Sequence, residues 1–262
     1  MSIKIKIGRI GDLPFYFNDK LIKKWKSNEF EIIDDIYVQH ITKKADIPQE
    51  MFQVSDGKKG HSWGYSDSLL ENQLSENEGA DFFIWITYVP LEYNYFVRRL
   101  SSNRVVLSYF GMYNILKKEL IPVENLLLRT IYRHILIYYK YNKSIPSHKT
   151  ILDIPFIHDD TRGCLFDMCV NKPDVIFFLN KPDICDECAV KITCEEDTST
   201  VTVEENHVNK IKEECSEKIK RGSYYKIVGF IKENPIGSLI LSALFGIILN
   251  IIAAVIYNFL IK

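Results

Sequence analysis

Twenty-six uncharged, mostly apolar residues, Ile236 to Ile261, follow one another without a break and constrain this chain more than any other stretch. At about 1.5 Å of helical rise per residue, such a run crosses a hydrocarbon core of about 30 Å with some tilt to spare. Buried helices of soluble domains rarely stay apolar for so long, so the run predicts one transmembrane helix and a tail-anchored protein. Lys218, Lys220, Arg221, Lys226 and Lys232 precede the span and Lys262 follows it. The positive-inside rule then places the bulk of the chain in the cytoplasm. The opening MSIKIKIGRIG alternates lysine with isoleucine as a strand does, and lacks the apolar centre of a signal peptide.

Three segments follow from this pattern: a cytosolic domain over 1–194, a charged and helical linker over 195–222, and a juxtamembrane segment with its span over 223–262. The part ahead of the span can bury one sizeable core. A formal net charge of −1 gives no nucleic-acid surface, which needs clustered lysine and arginine in excess. In a reducing compartment the six cysteines are unsuited to a disulfide framework, which leaves metal binding as the reason for any cluster.

Four of them do cluster. Cys164 and Cys169 lie in IHDDTRGCLFDMC, Cys185 and Cys188 in DICDEC, and His158 stands just upstream. A C-x-x-C turn joined by a second pair from farther upstream can close a tetrahedral Zn²⁺ site. Cys185 and Cys188 form the firmest pair, and Cys164 comes next because Gly163 permits a tight turn before it. His158 is placed ahead of Cys169 for the fourth ligand, since free cysteine is often only a small buried hydrophobe. Cys194 and Cys215 fall outside the cluster.

Upstream, the pattern predicts strands over Ile3–Ile10, Phe30–His40, Asp81–Val89 and Arg104–Tyr109, and helices over Leu13–Lys26 and Ser66–Leu74. Pro122 opens a long helix, PVENLLLRTIYRHILIYYK. The class is α+β, with a mixed sheet. Taken in order, KIKIGRIGDLP, FFIWITYVPLEYNYF, NRVVLSYF, the long helix and the cysteine cluster resemble the archaemetzincin family of zinc metallopeptidase-like proteins over most of Ile3 to Ile192. The resemblance implies a zincin-like fold, NRVVLSYF as an edge strand, and GCLFDMC with ICDEC as the last parts of a structural zinc site. It also implies an H-E-x-x-H on the long helix, and there the chain departs. A catalytic zincin needs two imidazoles one turn apart and a glutamate to deprotonate the metal-bound water. The helix carries only His134, with no partner at Leu127, Thr130, Tyr138 or Tyr141 and no adjacent glutamate. No residue is therefore assigned a catalytic role.

A second cluster joins His158, Asp159, Asp160 and Arg162, which can hold a hard metal or move protons. Arg98, Arg99 and Arg104 can add a clamp for an anion, because guanidinium matches phosphate or carboxylate with two parallel bonds. In the linker, Thr202 and Glu205 fit a capping box. Val208, Ile211, Cys215 and Ile219 beyond them form a narrow stripe suited to a coiled-coil seam or to packing back on the domain. Ser238, Ser242 and Gly246 recur every four residues in the span and favour a homo-oligomer. The expected function is sensing or binding of a cytosolic ligand or protein at a membrane, a stress or defence effector being one such role. The alternative is a membrane-tethered metal-dependent peptidase or hydrolase with a non-standard site.

Overall fold

The computed structural model describes residues 2–25, 27–41, 45–46, 63–151, 154–195, 199–219, 227, 230–231 and 234–260. The chain divides into two compact units, Met1–Lys220 and Arg221–Lys262.

The first unit is built on a mixed sheet of six strands. β1 (Ile3–Ile10) pairs in parallel with β2 (Phe30–Ile32) and β3 (Tyr37–Gln39) on one side. The expected strand Phe30–His40 is thus two short strands, interrupted where Asp34 takes a φ of +64°. β4 (Ala45–Asp46) and β5 (Trp63–Gly64) make a separate two-stranded pair. On its other side β1 pairs in parallel with the central strand β6 (Phe82–Thr87). β7 (Val97–Leu100) is the edge strand and the antiparallel member, lying outside β8 (Arg104–Ser108), which pairs in parallel with β6. The mixed sheet matches expectation, but its largely parallel pairing is that of an α/β rather than an α+β layer. NRVVLSYF supplies an inner strand, and VRRL, not read as a strand, supplies the edge.

Every residue of β6 is buried, because a parallel strand covered on both faces becomes a continuous apolar run. Phe82, Ile84 and Ile86 face the main core, while Phe83 and Trp85 face a smaller one with Leu70 and Leu74. The smaller core is closed by α2 (Asp67–Gln73), whose N-cap Ser66 accepts a hydrogen bond from the N–H of Leu69 at 3.2 Å. Gly8 leaves room for it: a Cβ there would lie 2.7 Å from the Trp85 ring.

α1 (Asp19–Lys23) is much shorter than the expected Leu13–Lys26, since Pro14 cannot donate a helical bond and Asn18 caps Leu21 instead. α3 (Met112–Lys118) was not anticipated. The long helix forms as α4 (Glu124–Lys140) and is buried around nearly its whole circumference, including Arg129, Thr130, Arg133, His134 and Lys140. It runs between the sheet and a C-terminal layer of α5 (Val175–Asn180), α6 (Asp186–Thr193) and α7 (Glu205–Lys218).

Of the two readings for the stripe on α7, the structure takes the second. Val208, Ile211, Cys215 and Ile219 are all buried in the main core, so α7 belongs to the first unit and not to a free linker. Glu214 secures it, accepting from Ser27 Oγ at 2.6 Å, the Asn28 N–H at 3.0 Å, Tyr132 Oη at 2.9 Å and Lys218 Nζ at 2.9 Å. The Thr202–Glu205 capping box is absent: the cap residue is Glu204, with no side-chain bond.

In the second unit α8 (Pro235–Leu260) is a single helix, and its Pro235–Ala254 part is long and apolar enough to cross a membrane. Asn250 bonds inward, to the Gly246 carbonyl at 3.1 Å. Of the flanking charges, Lys220, Arg221, Lys226, Lys232 and Lys262 lie outside the described residues.

Candidate functional site

Four of the five candidate metal ligands converge on one point. One donor atom from each of His158, Cys164, Cys185 and Cys188 lies within 4.8 Å of the other three, the spacing of a set that can hold a metal ion. Cys169 stands apart, with its Sγ 3.7 Å from Arg129 Nη2 and 3.6 Å from the Asp167 carbonyl.

Local structure explains the convergence. Gly163 takes a φ of +76°, which turns the chain into Cys164, and an isolated bridge to Asp183 ties Cys164 to the segment entering α6. Cys185 is the cap residue of α6 and Cys188 sits in its first turn, which brings both sulfurs to the same end of the helix. The Cys164 sulfur accepts from the N–H groups of Phe166 and Cys185 at 3.4 and 3.3 Å. Its thiol is pulled down to about 5 by the Cys188 thiol first, against the cost of burial, and then by these N–H groups. The Cys188 thiol, beside that charge, is pushed up.

His158 is held for ligation. Its Nδ1 donates to the Asp160 carbonyl at 2.8 Å, which leaves the Nε2 lone pair toward Cys185 Sγ, 3.7 Å away. Orientation of a ligand imidazole by a bond from its other nitrogen is common in metal sites. The fully buried Asp167, missed in the sequence reading, organises the loop: its Oδ2 accepts from the N–H groups of Arg162, Gly163 and Cys164 at 3.2, 2.7 and 3.0 Å. Its spacing after Gly163 in GCLFD was the signal that could have found it. Three thiolates, a neutral imidazole and a divalent ion leave one negative charge, and Arg162 stands beside it with Nη1 3.7 Å from Cys185 Sγ. The donor set fits zinc, for sulfur and imidazole nitrogen are its preferred ligands in closed sites.

The second cluster does not form as expected. Arg162 binds Asp160 at 2.5 Å and Glu187 at 2.7 Å, which holds the Asp160 carboxyl below its usual range, and Asp159 is exposed. No hard-metal cage of His158, Asp159 and Asp160 is present among the described residues. The arginine clamp also fails as drawn. Arg104 donates to the Leu74 carbonyl at 2.8 Å and pairs with Glu71 at 2.6 Å, away from the other two.

Arg98 and Arg99 instead line a cavity of about 170 Å³ with Arg133, His134 and His148, walled by Phe96, Ile137 and Met168. Arg98 pairs with Asp67, which also faces His148 Nε2 at 2.9 Å. Arg99 donates to the carbonyls of Pro146 and Ile151 at 2.7 and 2.8 Å. Arg133 donates to the Asp167 carbonyl at 3.3 Å, and its pKa is lowered to about 9 by burial and then by neighbouring Arg129. His134 Nδ1 donates to the Thr130 carbonyl at 2.7 Å, and burial pushes the ring down to about 3, so it is a neutral imidazole. Arg133 was not singled out from the sequence, because the periodicity of α4 does not show which polar residues face a cavity, and neither was His148, which lies in the loop beyond α4 and reaches the cavity through tertiary packing.

No family model matches the sequence, and no curated protein matches it. A solved archaemetzincin from Methanopyrus kandleri shares 14% identity over 73% of this chain and 93% of that one, with a TM-score of 0.36. That likeness is too distant to argue from.

Proposed function

We propose that this chain is a membrane-anchored binding protein, with a cytosolic domain stapled by a structural zinc and a cleft that takes a ligand instead of hydrolysing one. The observation that carries the reading is the His158, Cys164, Cys185 and Cys188 set, with its donor atoms within 4.8 Å of one another. Three buried or half-buried thiols and an oriented imidazole leave no open position for substrate, which is the mark of a structural site. The domain is read as a degenerate zincin: a long helix crosses beneath a mixed sheet with an antiparallel edge strand, and a cysteine cluster follows. Where a peptidase needs a second imidazole and a glutamate, α4 carries Arg133 and Arg129 around one neutral His134.

The anchor in this reading is α8, with exposed apolar side chains such as Ile236 and Leu239 that lipid would cover. Ser238, Ser242 and Gly246 give it a face for self-association, through which ligand binding reaches the membrane. The test is elemental analysis of the full chain in detergent beside a Cys185→Ser, Cys188→Ser variant. One zinc per chain, lost in the variant together with the fold, is expected. A metal that survives the cysteine changes would overturn the structural assignment and favour a hydrolase.

A further inference from the structure

The three sulfurs of the metal-ligating group are not equally sheltered. Cys164 and Cys188 are each 1% exposed, and the Cys188 thiol turns inward to the Phe156 carbonyl at 3.1 Å. Cys185 is only half-buried, and its neighbours are those of a surface. Arg162 Nη1 lies 3.7 Å from its Sγ, and Glu187 pairs with that guanidinium at 2.7 Å, both side chains being partly exposed. A partly exposed sulfur beside a cation is the setting of reactive cysteines, whereas buried ones are inert. A second thiol stands within reach: the donor atoms of Cys185 and Cys188 lie within 4.8 Å of each other. The two residues are three apart at the start of α6. At that spacing on a helical turn, Cα atoms are about 5 Å apart, inside the range that a disulfide spans.

We propose that Cys185 is a site of oxidation by hydrogen peroxide, with Cys188 as the resolving thiol, and that the reaction releases the zinc. The Cys185 thiolate attacks one peroxide oxygen and the O–O bond breaks; with one proton taken up, the products are a Cys185 sulfenic acid and water. The Cys188 thiolate then attacks the Cys185 sulfur, the S–O bond breaks as the S–S bond forms, and the departing hydroxide takes a second proton. Two thiolates supply the two electrons that reduce one peroxide to two waters. Two of four ligands are thereby spent, and a closed tetrahedral site cannot be kept by Cys164 and His158 alone. The loop that bears Cys164 also places Met168 in the cavity wall, and its Asp167 carbonyl accepts from Arg129 and Arg133 at 2.7 and 3.3 Å. Oxidation at Cys185 is thus felt at the cleft. The assignment rests on the structural-zinc reading above and gives that site a regulation.

The experiment treats the full, zinc-loaded chain in detergent with hydrogen peroxide, after its zinc content has been measured. Released metal is followed with a chromogenic chelator, free thiols are counted, and bridges are mapped by peptide mass spectrometry. The exposed Cys194 lies outside the group, so a Cys194→Ser chain gives the clean count and the parent shows that the peroxide dose oxidises an accessible thiol. In the Cys194→Ser chain, one zinc and two thiols should be lost together, with a Cys185–Cys188 bridge formed. Dithiothreitol followed by zinc should restore both. Zinc held with Cys185 still reduced, at a dose that oxidises Cys194 in the parent, would overturn the assignment. So would zinc released with all three cysteines reduced, or a bridge from Cys164, which would tie the loop to α6 instead of freeing it. One zinc that resists peroxide would remove this inference alone, whereas no zinc before peroxide is added would remove the structural-zinc reading and this inference with it.

Discussion

At the scale of single residues, side chains that never touch a ligand do much of the positioning. Asp167 spends one carboxylate oxygen on three consecutive N–H groups of the loop that carries Cys164, and its other oxygen lies 3.4 Å from His158 Nδ1. Removing a buried charged acceptor leaves those donors unpaired, at about 3 kcal/mol. Asp167→Ala should therefore lower the unfolding midpoint and weaken zinc by about 10- to 100-fold in a competition titration with a chromogenic chelator. Gly8 acts through space alone. A methyl group 2.7 Å from the Trp85 ring cannot be accommodated while the indole is fully buried, so Gly8→Ala should cost about 1–3 kcal/mol in denaturant unfolding.

At the scale of elements, α7 is the instructive case. Its charged sequence looks like a linker, yet one buried stripe and one carboxylate dock it against α4 and the 27–28 turn. Burial pushes the Glu214 carboxyl up, but the hydroxyl of Ser27, Lys218, the Asn28 N–H and Tyr132 outweigh it and hold the pKa below its ordinary 4.5. A carboxyl with a depressed folded pKa contributes stability that is fully present above its unfolded value and is lost as pH falls through the folded one. Glu214→Gln should thus be less stable than the parent at neutral pH by about 2–3 kcal/mol. The gap should narrow as pH drops below about 4.5, as read from thermal midpoints across a pH series. β7 makes the same point for strands: VRRL carries two arginines in four residues, but Leu100 packs in the smaller core and both guanidiniums find partners, so it closes the sheet.

At the scale of the whole molecule, the C-terminal layer is held by α7 and brings together the His158, Cys164, Cys185 and Cys188 group that can bind a metal. If a zinc joins His158 and Cys164 to Cys185 and Cys188, its removal separates the 158–169 loop from α6. A strong chelator should then lower the unfolding midpoint by about 10 °C or more, reversibly on adding zinc back. Ending the chain after residue 194 would strip α7 from α4 and expose its apolar face, whereas ending it after residue 220 keeps the first unit whole. The shorter product should aggregate and the longer should run as a soluble species on size exclusion.

By itself the sequence determined what local chemistry determines. An uncharged run makes α8 a helix wherever it sits, period-two and continuous apolar runs make β1, β6 and β8 strands, and C-x-x-C with an upstream Gly-Cys makes a turn whose sulfurs can hold a metal. What only the tertiary structure decided is how distant polar residues are shared out. It selects His158 over Cys169 for the metal-ligating group, turns Arg104 away from Arg98 and Arg99, and brings Arg133 and His148 to their cavity. The physical reason is that a helix buried on all sides, such as α4, has no period that marks its functional face. The partner of each charge there is set by strand order and loop packing rather than by neighbours in the chain.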